Sequence, residues 1–301
     1  MDENTSLINI GELSRPAAVL VEKISDAVGG IFKPYQIVRV AKAEAQADRV
    51  RADGQIEISN LQRRAFHRFL EEEGKKQKNI EDITQKALPL LNENSKPNEV
   101  EDDWITHYFD RCRLISDDEM QSLWSRVLAG EANKPGTYSK RTVNFLSGLD
   151  KSDAELFTKL CDFVWQIEKE PNLVIFDLRN KIYTDHGINF DVLTHLEAIG
   201  LIQLFTSDNV AREDLPSTIA ASYFETTIEL KITNGKLIIG KVILTKVGRE
   251  LTPICGSNPV SGLLEYVCDV WTKQRLADED EAARSSSKPA KSEAILTANK
   301  E

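Results

Sequence analysis

Ile228-Glu-Leu-Lys-Ile-Thr-Asn-Gly-Lys-Leu-Ile-Ile-Gly-Lys-Val-Ile-Leu244 is the stretch on which the fold turns. Ile228, Leu230 and Ile232 alternate with polar residues, Asn234-Gly235 is the dipeptide of a tight turn, and residues 237–244 return as a β-rich run. That pattern predicts a β-hairpin, because Asn-Gly supplies the positive φ angles a two-residue turn requires. Upstream, Asn189 is placed to cap a helix carrying Val192, Leu193, Leu196 and Ile199, which Gly200 ends. Leu201-Ile-Gln-Leu-Phe205 then reads as a strand, and Leu173-Val-Ile-Phe176 as an earlier one. Downstream, Thr245 to Leu251 reads as one or two helical turns.

Helix, strand, hairpin and helix, in that order, make residues 171–272 a winged-helix-like α/β domain. Its wing would carry Lys231, Asn234, Gly235 and Lys236, helped by Lys241. A winged helix that reads DNA places cations on its recognition helix to reach phosphates and guanine. Here that helix offers Asp191, Thr194, His195 and Glu197, with no Lys or Arg. The module is therefore expected to dock a protein partner or to serve structurally, with a DNA-binding transcriptional regulator as the alternative.

The N-terminal half reads as helical. Ser14 caps a helix with Pro16 in its first turn, and Leu20, Ile24, Ala27 and Ile31 recur at intervals of 3 and 4. Gly29-Gly30 interrupts it, and an apolar and aromatic corner follows. Val28, Ile31, Phe32, Lys33 and Tyr35 are the candidate contact with a membrane interface or a partner. From Tyr35 to about Glu73 the sequence predicts one long helix. Val40, Ala43, Ala47, Val50, Gly54, Ile58, Leu61 and Ala65 form a heptad-like seam along it. Buried alanines contribute far less than the ~1.5–3 kcal/mol of a buried Leu, so such a helix needs company, and self-association is the favoured reading. Residues 33–78 hold eleven Lys/Arg against seven Asp/Glu (+4), and residues 81–119 hold four against eleven (−7).

Residues 1–88 thus form an amphipathic helix and a long helix, 89–100 a linker marked by Pro89, Pro97, Asn92 and Asn94, and 101–170 a helical domain. Within the last, Ser116-Asp-Asp-Glu119 and Ser152-Asp-Ala-Glu155 read as capping boxes. Met120, Leu123, Trp124, Val127 and Leu128 follow the first; Leu156, Phe157, Leu160, Phe163 and Val164 follow the second. Residues 273–301 are charged and Ser/Ala-rich and are expected to be a disordered tail. The fold class is α+β, mainly α, with a helical N-terminal half and a winged-helix-like C-terminal domain.

No catalytic constellation stands out. The chain of 301 residues carries a net charge of −10, which disfavours non-specific binding to nucleic acid. Cys112, Cys161, Cys255 and Cys268 form no C-x-x-C pair, and His67, His107, His186 and His195 no i, i+4 pair. The phosphate-loop and dinucleotide motifs are absent. Pro135-Gly136-Thr137-Tyr138-Ser139-Lys140-Arg141-Thr142 reads as a turn into a helix capped near Ser139, with anion contact by Lys140 and Arg141 as the sharper alternative. Acid clusters at 101–103 and 117–119 read as helix starts, with a hydrolase as a distant third function. No cofactor and no metal are expected.

Val28-Gly-Gly-Ile-Phe-Lys-Pro-Tyr-Gln36, Leu61-Gln-Arg-Arg64, Ile115-Ser-Asp-Asp-Glu-Met-Gln-Ser-Leu-Trp124, Leu128-Ala-Gly-Glu131 and Ser139-Lys-Arg-Thr142 resemble a bacterial family, domain of unknown function 2806, over most of residues 10–272. Residues 118–157 are also similar to the abortive-infection alpha proteins, which are associated with resistance to bacteriophage. Neither resemblance brings catalytic residues. Together they imply a non-enzymatic defence protein that works by self-association and by protein or membrane contact. From the residues themselves, the seam helix predicts a homo-oligomer, the composition a cytoplasmic protein, the winged-helix region a protein partner, and the corner at residues 28–35 a peripheral contact with the inner membrane.

Overall fold

The computed structural model describes residues 13–29 and 60–286. The fold is α+β and mainly α, with helices first and small antiparallel sheets after them. Two compact units share the chain. The first is Met1–Glu155 with Pro253–Gly256, and the second is Leu156–Thr252 with Ser257–Glu301.

The first unit begins with α1, Arg15–Ala27, whose N-terminus is closed by the Ser14 hydroxyl accepting from the Ala17 N–H. Its Leu20, Val21 and Ile24 are fully buried, and it packs on α3, Asp102–Cys112. Lys23 fixes this edge by donating to the Asn98 carbonyl at 2.8 Å and pairing with Asp102 at 3.3 Å. The core centres on Tyr108 of α3. Its ring stacks on Trp104 at 5.1 Å and meets Trp124 edge-on at 5.2 Å, and its hydroxyl donates to the Trp124 carbonyl at 2.6 Å. Trp124 belongs to α4, Asp118–Asn133, and α5 follows at Lys140–Ser147.

The long helix differs from its expected bounds. The described part, α2, is Asn60–Ala87, so it continues past Glu73. It continues because Ile80, Ile83 and Ala87 extend the apolar spacing and are buried against α4. Residues 89–100 are no free linker. Two 3₁₀ turns, Leu88–Leu90 and Pro97–Glu99, are strapped to the end of α4. The Asn133 amide accepts from the Asn92 N–H at 2.9 Å and donates to the Leu90 carbonyl at 3.0 Å, and the Lys96 N–H reaches the Ala132 carbonyl at 2.8 Å. At α4 the cap is Asp117 rather than Ser116: its carboxylate accepts from the Met120 N–H, and that bond chiefly holds the carboxyl below its ordinary pKa.

α6, Lys151–Cys161, starts one residue before Ser152 and ends before Phe163 and Val164. Those two belong to the C-terminal fold instead. Val164 opens β1, Val164–Ile167, which turns through Glu168-Lys169 into β2, Glu170–Leu173. β2 therefore ends where the expected strand 173–176 began. α7, Lys181–Thr184, and α8, Phe190–Ala198, come next, α8 capped by Asn189 and closed by Gly200 at φ +90. Then follow β3 (Ile202–Leu204), β4 (Val210–Arg212), β5 (Thr218–Tyr223), β6 (Thr226–Lys231), β7 (Leu237–Gly240) and β8 (Val242–Leu244).

The strand order of the larger sheet is β2-β1-β5-β6, and β3 pairs with β8 while β4 pairs with β7. The hairpin expected at Asn234-Gly235 is thus not formed. β6 pairs with β5 in six register steps, and β7 goes to another sheet. The reason lies in the strand before it: Ile219, Ala221 and Tyr223 alternate into the core, and that seats β5 alongside β6. α9, Lys246–Leu251, is the short helix expected there, and Thr245 caps it. The last helix, α10, runs Leu263–Ser286, so the expected tail is helical to Ser286. It is held because Leu263, Val267 and Trp271 are buried and the Trp271 indole donates to the Ile238 carbonyl at 2.8 Å.

Tyr223 ties this second unit together. It stacks on Trp165 at 5.0 Å, and its hydroxyl donates to the Asp162 carbonyl and accepts from the Val260 N–H, both at 2.7 Å. Burial pushes the phenol up to about 12. Replacing Tyr223 by Phe is expected to cost about 1–3 kcal/mol, since a buried N–H and a carbonyl lose their partner together. A urea midpoint equal to the wild type's would refute that role.

Candidate functional site

The feature that stands out is the first half of α2. From Asn60 to Lys75 every residue is exposed, although Leu61, Phe66, Phe69 and Leu70 are large and apolar. Leu61 is 67% exposed, Phe69 55% and Leu70 47%. Large apolar side chains clustered on one helix mark contact surfaces more often than they mark tolerated exposure. Around them the charges segregate along the axis, with Arg63, Arg64 and Arg68 first and Glu71, Glu72 and Glu73 one turn later. Of the expected assembly seam, Leu61 and Ala65 lie here; Val40, Ala43, Ala47, Val50 and Ile58 lie outside the described residues. Sequence reading passed over Phe69 and Leu70, whose signal was present as apolar residues among charges at helical spacing.

The corner Val28, Ile31, Phe32, Lys33 and Tyr35 is described only at Val28. Val28 ends α1, half-buried, with its N–H on the Ile24 carbonyl. It lines an open cleft of about 410 Å3 together with Ala27, Gln77 and Arg113. The cleft's charges answer one another: Lys76 pairs with Glu73 at 2.6 Å and Arg113 with Asp110 at 2.8 Å.

Lys140 and Arg141 occupy the first turn of α5 and are exposed. The turn before them is fixed from beneath: the buried Glu131 carboxylate accepts from the Gly136 N–H at 2.6 Å and the Tyr138 N–H at 2.8 Å. The wing residues are dispersed by the strand pairing. Lys231 ends β6, Gly235 sits at φ +67 with its carbonyl accepting from the Leu215 N–H, and Lys236 pairs with Glu213 at 2.8 Å. That bond lowers the Glu213 carboxyl and raises the Lys236 ammonium, both from their ordinary values. On α8, Asp191, Thr194 and His195 are exposed, while Glu197 turns inward to accept from the Leu204 N–H at 2.8 Å.

One cleft was not foreseen. Arg212 of β4 and Arg249 of α9 line a space of about 260 Å3 over Leu173, Ile239 and Leu244, with Glu170 at its side. The Arg212 guanidinium donates to the Asn172 amide oxygen at 3.3 Å. Its walls come from strands up to seventy-odd residues apart in sequence, so no local pattern announces it.

Burial pushes the Cys112 thiol well up and the Cys268 thiol up as well, so neither of these two is an activated nucleophile. Among the described residues no group of three His, Cys, Asp or Glu could hold a metal ion. Among them, too, no helix is long and apolar enough to cross a membrane.

No curated protein matches the chain, so the likeness to abortive-infection alpha proteins rests on the quoted residues alone. No solved structure matches it either. A family model described as "Protein of unknown function (DUF2806)" matches residues 63–268, which is more than half of the chain, and the protein belongs to that family.

Proposed function

We propose that this chain acts by contact rather than by chemistry: a bacterial defence protein of the abortive-infection kind, cytoplasmic, which self-associates through the exposed face of α2. Residues 28–35 would add a contact to a second protein or to the inner-membrane surface. The observation that carries the reading is the run of exposed apolar side chains over Leu61, Phe69 and Leu70, on a helix whose second half is firmly seated in its unit. Burying that run against another surface removes apolar area from water at ~25 cal/mol per Å2.

The test has a physical and a biological arm. Light scattering of the full chain is expected to show a self-associated species. Leu70→Asp should weaken it by at least about 30-fold, because each copy would bury a carboxylate without a partner. In the bacterial host, deletion of the gene is expected to raise phage plating, with the wild-type gene but not Leu70→Asp restoring resistance. Plaque counts unchanged across a broad phage panel would end the defence reading.

A further inference from the structure

We infer that the cleft of about 260 Å3 in the second unit is a binding site for a small organic anion, with a carboxylate or phosphate head on a short aliphatic body. β2 closes one side of the four-stranded sheet, β4 belongs with β7 and β8 with β3, and residues of all three sheets form the walls. Arg212 from the end of β4 and Arg249 from α9 bring two guanidinium groups to this one place. Glu170 is the single carboxylate of the lining, so two cations against one acid leave +1. In a chain of net charge −10 that is a local reversal of sign.

Pairing sets these two arginines apart from the cations around them. Lys236 holds Glu213 at 2.8 Å, Arg275 holds Glu279 at 2.6 Å and Lys246 reaches Glu250 at 3.8 Å. Among the described residues neither Arg212 nor Arg249 has a carboxylate in ion-pair contact, Glu170 included. Two like charges at one cleft repel, and an oxyanion relieves that while accepting charge-assisted hydrogen bonds from both. Arg212 is also held in position. It donates to the Asn172 amide oxygen at 3.3 Å, and the Asn172 amide nitrogen donates to the Glu170 carbonyl at 2.6 Å. Asn172 is only 8% exposed, so it is a fixed brace, and the remaining guanidinium N–H groups are left for a ligand. The floor decides the body. Leu173, Ile239 and Leu244 are buried and aliphatic. The β4–β7 register skips Ile239, passing from Val210 opposite Gly240 to Ala211 opposite Ile238. A bulge of this kind re-aims a side chain, and here the skipped residue lines the cleft. The lining has no aromatic ring, and Asn172, its one uncharged polar side chain, has both ends of its amide engaged. A nucleobase or a sugar would find neither a stacking face nor an unengaged polar side chain there, and an alkyl chain needs neither. Drug-sized ligands take roughly 300–1,000 Å3, so the body is short.

Isothermal titration calorimetry of the full chain tests this with hexanoate and hexyl phosphate in about 0.1 M salt, where the Debye length is about 10 Å. At least one of the two is expected to bind with a Kd below about 1 mM, and which one binds names the head group. Arg212→Gln should weaken that binding at least about tenfold, and Arg249→Gln, at an exposed position, at least about threefold. Lys231→Gln removes the same charge from the far edge of the four-stranded sheet, three strands or about 14 Å from β2, and should leave the Kd within about twofold. The heads alone, acetate and inorganic phosphate, should bind at least about tenfold more weakly than their alkyl counterparts, since they leave the floor uncovered. If neither alkyl probe binds in the millimolar range, the inference is wrong. If binding survives either arginine variant, or falls as far with Lys231→Gln, the anion sits elsewhere or answers to net charge alone, and the inference fails again. Heads that bind as tightly as the alkyl probes would overturn the aliphatic body. Unchanged circular dichroism checks that the variants fold. The lining lies wholly within the second unit, so either result leaves the self-association through α2 untouched.

Discussion

Gly240→Ala is expected to cost the second unit at least about 3 kcal/mol of stability, the loss characteristic of a backbone clash added to a forbidden dihedral. Gly240 sits at φ +111, and a Cβ there would lie 1.9 Å from the Ile175 carbonyl oxygen and 2.3 Å from its carbon. Neither atom is free to retreat. The Ile175 carbonyl accepts from the Lys241 N–H at 2.7 Å, and its own N–H donates to the Ile239 carbonyl at 3.1 Å. On its other side Gly240 pairs with Val210 of β4, so three backbones meet where only a hydrogen fits. Gly262→Ala is the control. It lies in the same unit at φ +77 with open space around its missing Cβ, so it should cost only the ~1–2 kcal/mol of the left-handed conformation. Urea unfolding of the two variants measures the difference. Equal losses would show that the close approach of Ile175 carries no weight.

The same junction shows why the sheets were only partly legible. Caps are local chemistry, one side-chain oxygen and one N–H two or three residues on, so Ser14, Ser139 and Asn189 could be read from their neighbours and stand where expected. Strand pairing is a competition between partners. Asn234-Gly235 does bend the chain, but residues after it are claimed by β3 and β4, and β6 is claimed by β5. Conversely, the turn between β1 and β2 uses Glu168 and Lys169, both at positive φ, a conformation their side chains do not advertise. The segment 89–100 looked like a linker because its Asn, Ser and Pro residues favour turns; what orders it is Asn133, supplied by a helix that no local window contains. As for the candidate surface, the periodicity of α2 revealed the seam but not which part of it the protein's own α4 would cover, since that depends on packing at a distance.

Glu131 poses the sharpest question about the residues that carry the family likeness, because a buried acid can be read as chemistry or as architecture. Its surroundings favour architecture. Each carboxylate oxygen takes one backbone N–H, Gly136 at 2.6 Å and Tyr138 at 2.8 Å, while the Tyr138 carbonyl accepts from the Trp104 indole at 2.7 Å. Gly130 is part of the same device: a Cβ there would come within 2.6 Å of the Tyr138 ring. The loop so held delivers Ser139 to cap α5, which gives Leu128-Ala-Gly-Glu131 and Ser139-Lys-Arg-Thr142 one shared physical purpose. Glu131→Leu should therefore cost about 2–3 kcal/mol by stranding the buried Tyr138 N–H and releasing the exposed Gly136 N–H to water, and Glu131→Gln roughly half as much, because a carboxamide keeps one acceptor and turns a donor toward the other N–H. Both losses belong in the urea midpoint of the first unit, with the self-association of the surviving folded protein unchanged. If Glu131→Gln instead kept its full stability and abolished phage resistance, the carboxylate would be acting on something outside the fold, and the architectural account of this motif would be wrong.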